Sequence, residues 1–234
     1  MNKRTKLLVA GLAILAMPFL ATFVYLRVIR DDAPPRLTVA DVTTTAATTA
    51  ASAPGASDAA PAGIEGTWTV GEGSVVAYRV SETLFGQSAE AQGRSEGVTG
   101  TLQVADTRVT AAELTVDMAT FSSDESRRDG QFNGRIMAVD QFPTATFTLT
   151  TPIELGAEPE DGTKVSVQAV GDLTLHGVTR SVTFPLTVLR SGSTVAVDGS
   201  LDITFADYAI DNPSGGPAQV GDSGALEVLL VLGR

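Results

Sequence analysis

From residue 64 onward, apolar and polar residues alternate with a period of two along most of the chain. Clear examples are residues 76–80, 182–188 and 201–205, in which every second residue is apolar. Successive side chains of a β-strand point to opposite faces, so each run predicts a strand with one apolar face. This pattern is typical of antiparallel sheets that cover a core with one face and meet water with the other.

About eight such strands are predicted, separated by turn signals such as Asp161-Gly162, His176-Gly177 and Ser191-Gly192. Strands with one inward apolar face suit either a sandwich of two sheets or a closed barrel. Lengths near ten residues exceed the usual five or six and favour the barrel, although the pattern alone leaves the sandwich open. An eight-stranded barrel is either filled by side chains or holds one small apolar ligand.

Residues 116–147 interrupt the strand pattern with a charged segment. Ser122 and Ser123 are N-cap residue types, and Ser122 with Glu125 matches a capping box. Phe132 and Ile136 are four residues apart and would share one face of a helix. The segment therefore predicts a minor helix, which is either a surface crossover or a lid at the mouth of a barrel.

Residues 7–26 form a stretch of 20 residues without charge. As a helix this stretch would span about 30 Å, the thickness of the hydrocarbon core of a bilayer. Lys3, Arg4 and Lys6 precede it, which favours a cytoplasmic N-terminus. A cleaved signal peptide is the alternative, but its apolar core is usually shorter and ends at a small-x-small site. We predict a cytoplasmic tail over residues 1–6 and a transmembrane helix or uncleaved signal anchor over 7–28.

Residues 29–63 consist mainly of Ala, Thr, Ser and Pro. Such a composition cannot bury enough apolar surface to offset the entropy of the chain, so we predict a disordered linker here. The folded domain would then occupy residues 64–234. The predicted location is the cell membrane, crossed once, with this domain outside the cytoplasm. Cleavage and secretion is the alternative.

Composition and motifs exclude several functional classes. The net charge is −11, which argues against a nucleic-acid-binding surface of clustered Lys and Arg. The absence of cysteine excludes disulfides, thiolate metal sites and a lipid-modified N-terminal cysteine. His176 is the single histidine, so a metal site built from several histidines is excluded. The chain has no phosphate-binding loop, nucleophile elbow or zinc-protease motif, and we predict no catalytic residues and no metal. A hydrolase or isomerase would need titratable groups that converge in a cavity.

Several segments together resemble the YceI-like family of bacterial extracytoplasmic proteins. The most specific is GDLTLHGVTRSV at residues 171–182, and FPTATF at 142–147 is similar to a second family signature. GTWTV at 66–70, VDM at 116–118, Ser123-Asp124 and Arg128-Asp129 add to the resemblance, which covers about residues 64–232. Near the end, the chain has FADYAI at 205–210 and lacks the arginine of the family motif. The resemblance implies a lipocalin-like antiparallel barrel whose interior takes an isoprenoid chain, such as a quinone tail or a polyprenyl lipid.

The cavity that this resemblance implies would be lined by inward-facing aromatic and aliphatic side chains. The candidates are Tyr78, Phe121, Phe132, Ile136, Phe147, Leu149, Phe184, Leu186, Ile203 and Phe205. Arg128 and His176 are candidates for contact with a polar headgroup. A surface ion pair for Arg128 and a structural role for His176 in its turn are the simpler interpretations.

The predicted function is that of a membrane-tethered protein that binds a long-chain isoprenoid lipid for carriage or storage. No cofactor is expected beyond the bound lipid or quinone. The predicted partners are this lipid and the membrane, and a homodimer is left open. The alternative is a non-catalytic cell-envelope module, for protein interaction or stress, whose barrel is filled by its own side chains.

Overall fold

The structure is a computed structural model that describes residues 34–40, 63–84, 86–215 and 218–234. The predicted cytoplasmic tail and transmembrane helix lie outside these residues, as does most of the predicted linker. Among the described residues, no helix combines the length and the hydrophobicity that a membrane span requires.

Strands dominate the described chain, as the two-residue alternation predicts. They are β1 (Gly66–Val70), β2 (Val75–Leu84), β3 (Gln87–Ser95), β4 (Val98–Ala105), β5 (Arg108–Asp117), β6 (Thr144–Thr151), β7 (Ile153–Glu154), β8 (Lys164–Leu175), β9 (Val178–Ser191), β10 (Thr194–Thr204), β11 (Ala218–Val220) and β12 (Ser223–Gly233). Between β5 and β6 lie a 3-10 turn (Met118–Thr120), the helix α1 (Ser126–Gln131) and a π-helical turn (Phe132–Ile136). A second 3-10 turn (Phe205–Tyr208) follows β10.

The sheet closes on itself as an eight-stranded antiparallel barrel. From β4 the pairing runs through β5, β6, β8, β9, β10 and β12 to β1, which pairs with β4 again. Closure pairs the edges of these eight strands and places one face of each of them in the interior. The barrel interpretation is therefore confirmed over the sandwich, and so is the predicted minor helix.

The seam of the barrel is shared by two strands. The end of β12 pairs with β1 through Leu232 and Gly233. Further back, residues 225–229 of β12 pair with β2 instead. The β2–β3 hairpin thus takes the place beside β12 that the β1–β4 pair holds at the other end of the barrel. The other edge of β3 meets the barrel through a bridge between Arg94 and Ser122.

The helix begins three residues later than its capping box predicts. Ser122 is held in the bridge to β3, where its backbone N–H donates to Arg94 O at 2.9 Å and its carbonyl accepts from Arg94 N at 2.8 Å. The Ser122 carbonyl, which in an N-cap residue accepts the first helical hydrogen bond, faces β3 instead, and Glu125 is the N-cap, which accepts from Arg127 N at 3.2 Å. The predicted N-cap role of Ser122 is therefore wrong. Ser123 instead contacts Asp129, with 2.6 Å between Ser123 Oγ and Asp129 Oδ1.

A short segment of the predicted linker packs on the outer wall of the barrel. Residues 35–40, which we call the strap, lie against β10 and β12, and Val39 has no exposed surface. The prediction of a disordered linker did not anticipate this contact. The strap binds there through the buried side chain of Val39 and through the carboxylates of Asp198 and Glu227. The composition of the linker does not reveal these contacts.

Candidate functional site

A cavity of about 550 Å³ opens at the end of the barrel that carries α1. Its walls come from β2, β3, β10 and β12, and its cover comes from α1, the π-helical turn and the segment around β11. The volume lies within the range of about 300 to 1,000 Å³ that is usual for small-molecule sites. For residues 116–147 the sequence predicts either a surface crossover or a lid at the mouth of a barrel. The position of α1 over the cavity matches the lid.

Six of the ten predicted lining residues border this cavity. They are Tyr78, Phe121, Phe132, Ile136, Ile203 and Phe205. Phe132 and Ile136 face it together, as their spacing of four residues predicts. The remaining walls include Met118, Met137 and Ala91, which the sequence analysis did not select. The two methionines lie outside the strands, and Ala91 lies in a strand whose sequence, QSAEAQGRS, carries almost no apolar signal.

Three aromatic rings form one side of the cavity. Tyr78 stacks on Phe132 with 4.8 Å between the ring centroids, and Phe121 lies 5.1 Å from Phe132 and 5.8 Å from Tyr78. Gly93 lies directly across from Tyr78 in the pairing of β2 with β3. A Cβ atom at Gly93 would collide with the Tyr78 ring, so glycine leaves the space that the ring occupies.

Replacing Gly93 with alanine is expected to lower the free energy of unfolding by about 1 to 3 kcal/mol, since Tyr78 is held against Phe132 and cannot yield freely. Urea denaturation measures the change. Gly130→Ala in α1 is the matched control, because a Cβ there meets nothing within 4 Å. An equal effect of the two substitutions would show that the ring contact does not constrain position 93.

The environment of the Tyr78 hydroxyl is apolar enough to change its titration. Burial raises the pKa of Tyr78 from its usual value of 10.0 to about 12, and the nearby Arg128 opposes part of that rise. The neutral hydroxyl is therefore favoured in the folded state. Its contribution to stability is complete below pH 10 and is lost as the pH rises through about 12.

We expect the free energy of unfolding of the wild type to fall more steeply between pH 10 and 12 than that of Tyr78→Phe. Urea denaturation at intervals across this range would show the difference. Identical pH dependence of the two proteins would contradict a raised pKa for Tyr78.

The mouth of the cavity is polar and carries both signs of charge. Arg127, Arg128, Arg135 and Gln131 border it from the helical side, and Glu82 borders it from β2. Arg128 forms an ion pair with Asp124, and Arg135 donates from Nη2 to the carbonyl of Pro213 at 3.1 Å. An apolar cavity with a polar mouth suits an amphiphile whose tail is buried and whose head remains near water.

Beyond the large cavity, side chains occupy more of the barrel interior and the cavities are smaller. A cavity of about 100 Å³ touches both Phe147 and Phe184, whose rings meet edge to face at 5.6 Å. A further space of about 50 Å³ lies at the opposite end, around Trp68. Leu149 and Leu186 are not among the residues that line these three cavities. They pack beside a buried cluster formed by Val109, Ile153 and Ala169.

His176 lies in the tight turn between β8 and β9 rather than in the lining of the large cavity. His176 and Gly177 both have positive φ, 51° and 75°, which is the conformation of a two-residue hairpin turn. The histidine ring meets Phe142 edge-on at 4.6 Å, and Nδ1 lies 3.1 Å from the Tyr208 carbonyl oxygen. Of the two predicted headgroup residues, the structure brings Arg128 to the mouth and gives His176 packing contacts.

Within the described ranges, no group of three or more His, Asp or Glu side chains is arranged to hold a metal ion. Among the described residues that line the cavity, Glu82 is the one acidic residue, so these residues bring no group of carboxylates together there.

Comparison with known proteins gives a consistent result. The model of the YceI-like domain matches residues 68–232. A polyisoprenoid binding domain from Saccharophagus degradans, implicated in plant cell wall breakdown, is similar with a TM-score of 0.60 and 19% identity, over 71% of this chain and 98% of that one. BcnA from Burkholderia cenocepacia is similar with a TM-score of 0.54 and 22% identity, over 68% of this chain and 95% of that one. Among curated proteins, none matches.

Proposed function

The chain belongs to the YceI-like domain family, and on this premise we propose that it is a non-catalytic protein that binds an isoprenoid lipid in its barrel. The observation that carries the proposal is the apolar cavity of about 550 Å³ with a polar mouth. The isoprene tail would lie against Tyr78, Phe132 and Ile203, and the headgroup would lie near Arg128. The similar domain from Saccharophagus degradans is described as polyisoprenoid binding, which supports the same ligand class.

The apolar walls can make a large contribution to the binding of such a tail. Burial of about 300 Å² of tail surface would contribute about 7.5 kcal/mol at about 25 cal/mol per Å², before the cost of ordering the lipid. A polyprenyl lipid and a quinone share this tail chemistry, so both remain within the proposal. The arginines at the mouth can donate hydrogen bonds to a phosphate or to a quinone carbonyl.

The proposal includes a membrane location. The uncharged stretch over residues 7–26 would anchor the chain, and the barrel would lie outside the cytoplasm. A barrel tethered beside its lipid source could carry or store a molecule that is almost insoluble in water. This part of the proposal rests on the sequence alone.

The test is a measurement of the lipid that accompanies the full-length protein. The full chain and the Ala91→Trp variant, whose cavity is partly filled, would be purified in the same mild detergent and extracted with organic solvent. Mass spectrometry should find about one isoprenoid per wild-type chain if one tail fills one cavity, and much less in the variant. An isoprenoid content that is equally low in both, with no uptake of added geranylgeraniol, would contradict lipid binding.

That negative result would favour the alternative function. Apart from the space of about 50 Å³, the barrel is filled by its own side chains around Trp68, Val188 and Leu230. A protein-interaction module would need only this solid part as its scaffold. A protein partner would bind the outer surface of the barrel. The Ala91→Trp variant, which changes only the cavity, would therefore bind this partner as well as the wild type does.

A further inference from the structure

The strap is held on the outer wall by carboxylates of two neighbouring strands. Arg36 Nη1 lies 3.0 Å from Glu227 Oε1 of β12, and Val39 N donates to Asp198 Oδ2 of β10 at 2.7 Å. On the other side, Arg94 Nη2 of β3 donates to the carbonyl of Pro35 at 2.9 Å. These contacts bind the strap to three strands of the wall.

Apolar side chains also hold the strap on the wall. Val39 packs with Leu189, Ala196 and Leu229 in a cluster on the outside of the barrel, and Leu37 lies beside it. Burial of a valine side chain contributes more than an exposed ion pair normally does. The strap is therefore seated by its own apolar residue as well as by charge.

The wall beneath the strap is also the wall of the lipid cavity. Glu227 is only 2% exposed and forms an ion pair with Arg79 of β2 at 2.9 Å. The neighbours of these two residues along their strands, Tyr78, Val80 and Leu226, line the cavity from inside. The strap thus reinforces from outside the pairing of β2 with β12.

Few pairs join this part of the wall to the rest of the barrel. In the described part of the chain, β2 pairs with β12 over residues 225–229 and with β11 over residues 218–220, and the far edge of β3 meets the barrel at the Arg94–Ser122 bridge. Elements with few pairing contacts open at a lower free energy than the rest of a fold. The hairpin of β2 and β3 is therefore an element that can move away from the cavity without unfolding of the whole barrel.

We propose that the strap clamps the β2–β3 side of the cavity and that its release accelerates the exchange of bound lipid. The exchange part of this inference rests on the proposed function, whereas the clamp itself does not. Coupling between two sites is reciprocal, so a state of the wall that favours lipid exchange also favours an undocked strap. The segment that leads to the N-terminus would then control how fast the barrel loads and unloads.

Val39→Asp in the full chain is the direct test of the clamp. It places a carboxylate in an apolar seat beside Asp198 and Glu227 and is expected to release the strap. Trypsin cleaves after Arg36 only when this segment leaves the wall, so the initial cleavage rate there should rise about tenfold if the segment opens and closes quickly relative to cleavage. Ala40→Asp adds the same charge one residue away, at an exposed position, and should leave the rate unchanged.

Asp198→Asn provides a second, milder variant, since it weakens the acceptor of Val39 N without adding charge. Its cleavage rate should lie between those of the wild type and Val39→Asp. Circular dichroism of every variant establishes that the barrel is folded. Equal cleavage rates after Arg36 in the wild type, Val39→Asp and Asp198→Asn would overturn the clamp.

Lipid exchange is measured on the same proteins, loaded with deuterated geranylgeraniol and mixed with an excess of the unlabelled prenol. The fraction of label that remains is followed by native mass spectrometry, and release should be about tenfold faster in Val39→Asp than in Ala40→Asp if the two sites are coupled. Faster cleavage with unchanged exchange would overturn the coupling and leave the proposed function intact. If no protein takes up the prenol, the proposed function fails, and the cleavage rates still decide whether the clamp exists.

Discussion

Replacing Ala91 with tryptophan is expected to weaken the binding of geranylgeraniol by about tenfold or more while the barrel stays folded. Ala91 is buried, lies across from Val80 and faces the large cavity. The indole would occupy space that the tail needs. Exclusion of about 60 Å² of tail surface corresponds to about 1.5 kcal/mol, or about a tenfold change in Kd.

Titration with the prenol, followed by native mass spectrometry, gives the affinities of the two proteins. Ala111→Trp is the matched control, because it places the same side chain at an exposed position on β5. The control should bind like the wild type. If Ala91→Trp is folded and also binds like the wild type, the ligand does not occupy this cavity.

Replacing Arg79 with methionine should produce the largest loss of stability. Arg79 is 6% exposed and donates from Nε to Glu227 at 2.9 Å, and it also pairs with Glu90. The substitution leaves the carboxylate of Glu227 buried, with Arg36 of the strap as its remaining cationic partner in the described structure. Removal of one partner of a buried ion pair typically costs about 3 to 5 kcal/mol.

Urea denaturation would give the change in the free energy of unfolding. Arg108→Met is the control, since Arg108 pairs with Glu154 on the surface and its loss should change stability little. The double variant Arg79→Met, Glu227→Leu should be more stable than Arg79→Met alone, because it also removes the buried carboxylate that has lost its main partner. A double variant that loses the sum of both single effects would show that the cost does not arise from the buried charge.

The sequence predicted the barrel because each strand has one consistently apolar face. Tyr78 and Val80 point inward as the two-residue alternation requires, and Phe132 and Ile136 share a face as the helical spacing requires. Both predictions depend on local periodicity, which the chain keeps wherever one side of an element is buried. The same logic identified most of the aromatic residues around the cavity.

The sequence could not show which inward residues border empty space, because periodicity separates inside from outside but carries no information on depth. Leu149 and Leu186 point inward like Phe147 and Phe184, yet of these four only the two phenylalanines line one of the three cavities described above. Arg79 lies on the polar face of its strand in the sequence pattern. It is buried because Glu227, 148 residues further along the chain, lies next to it in space with the strap beside Glu227. Such non-local contacts leave no trace in the pattern of a single strand.

The filled half of the barrel has a consequence for the size of the ligand. If each heavy atom of a tail needs about 30 Å³, similar to a water molecule in the liquid, the large cavity encloses about 18 heavy atoms. That is between three and four isoprene units of five carbons. The ring pair of Phe147 and Phe184 lies outside the lining of this cavity and borders the smaller cavity of about 100 Å³. If a prenyl chain binds in this cavity as proposed, a chain of more than four units would leave its remaining units outside the cavity.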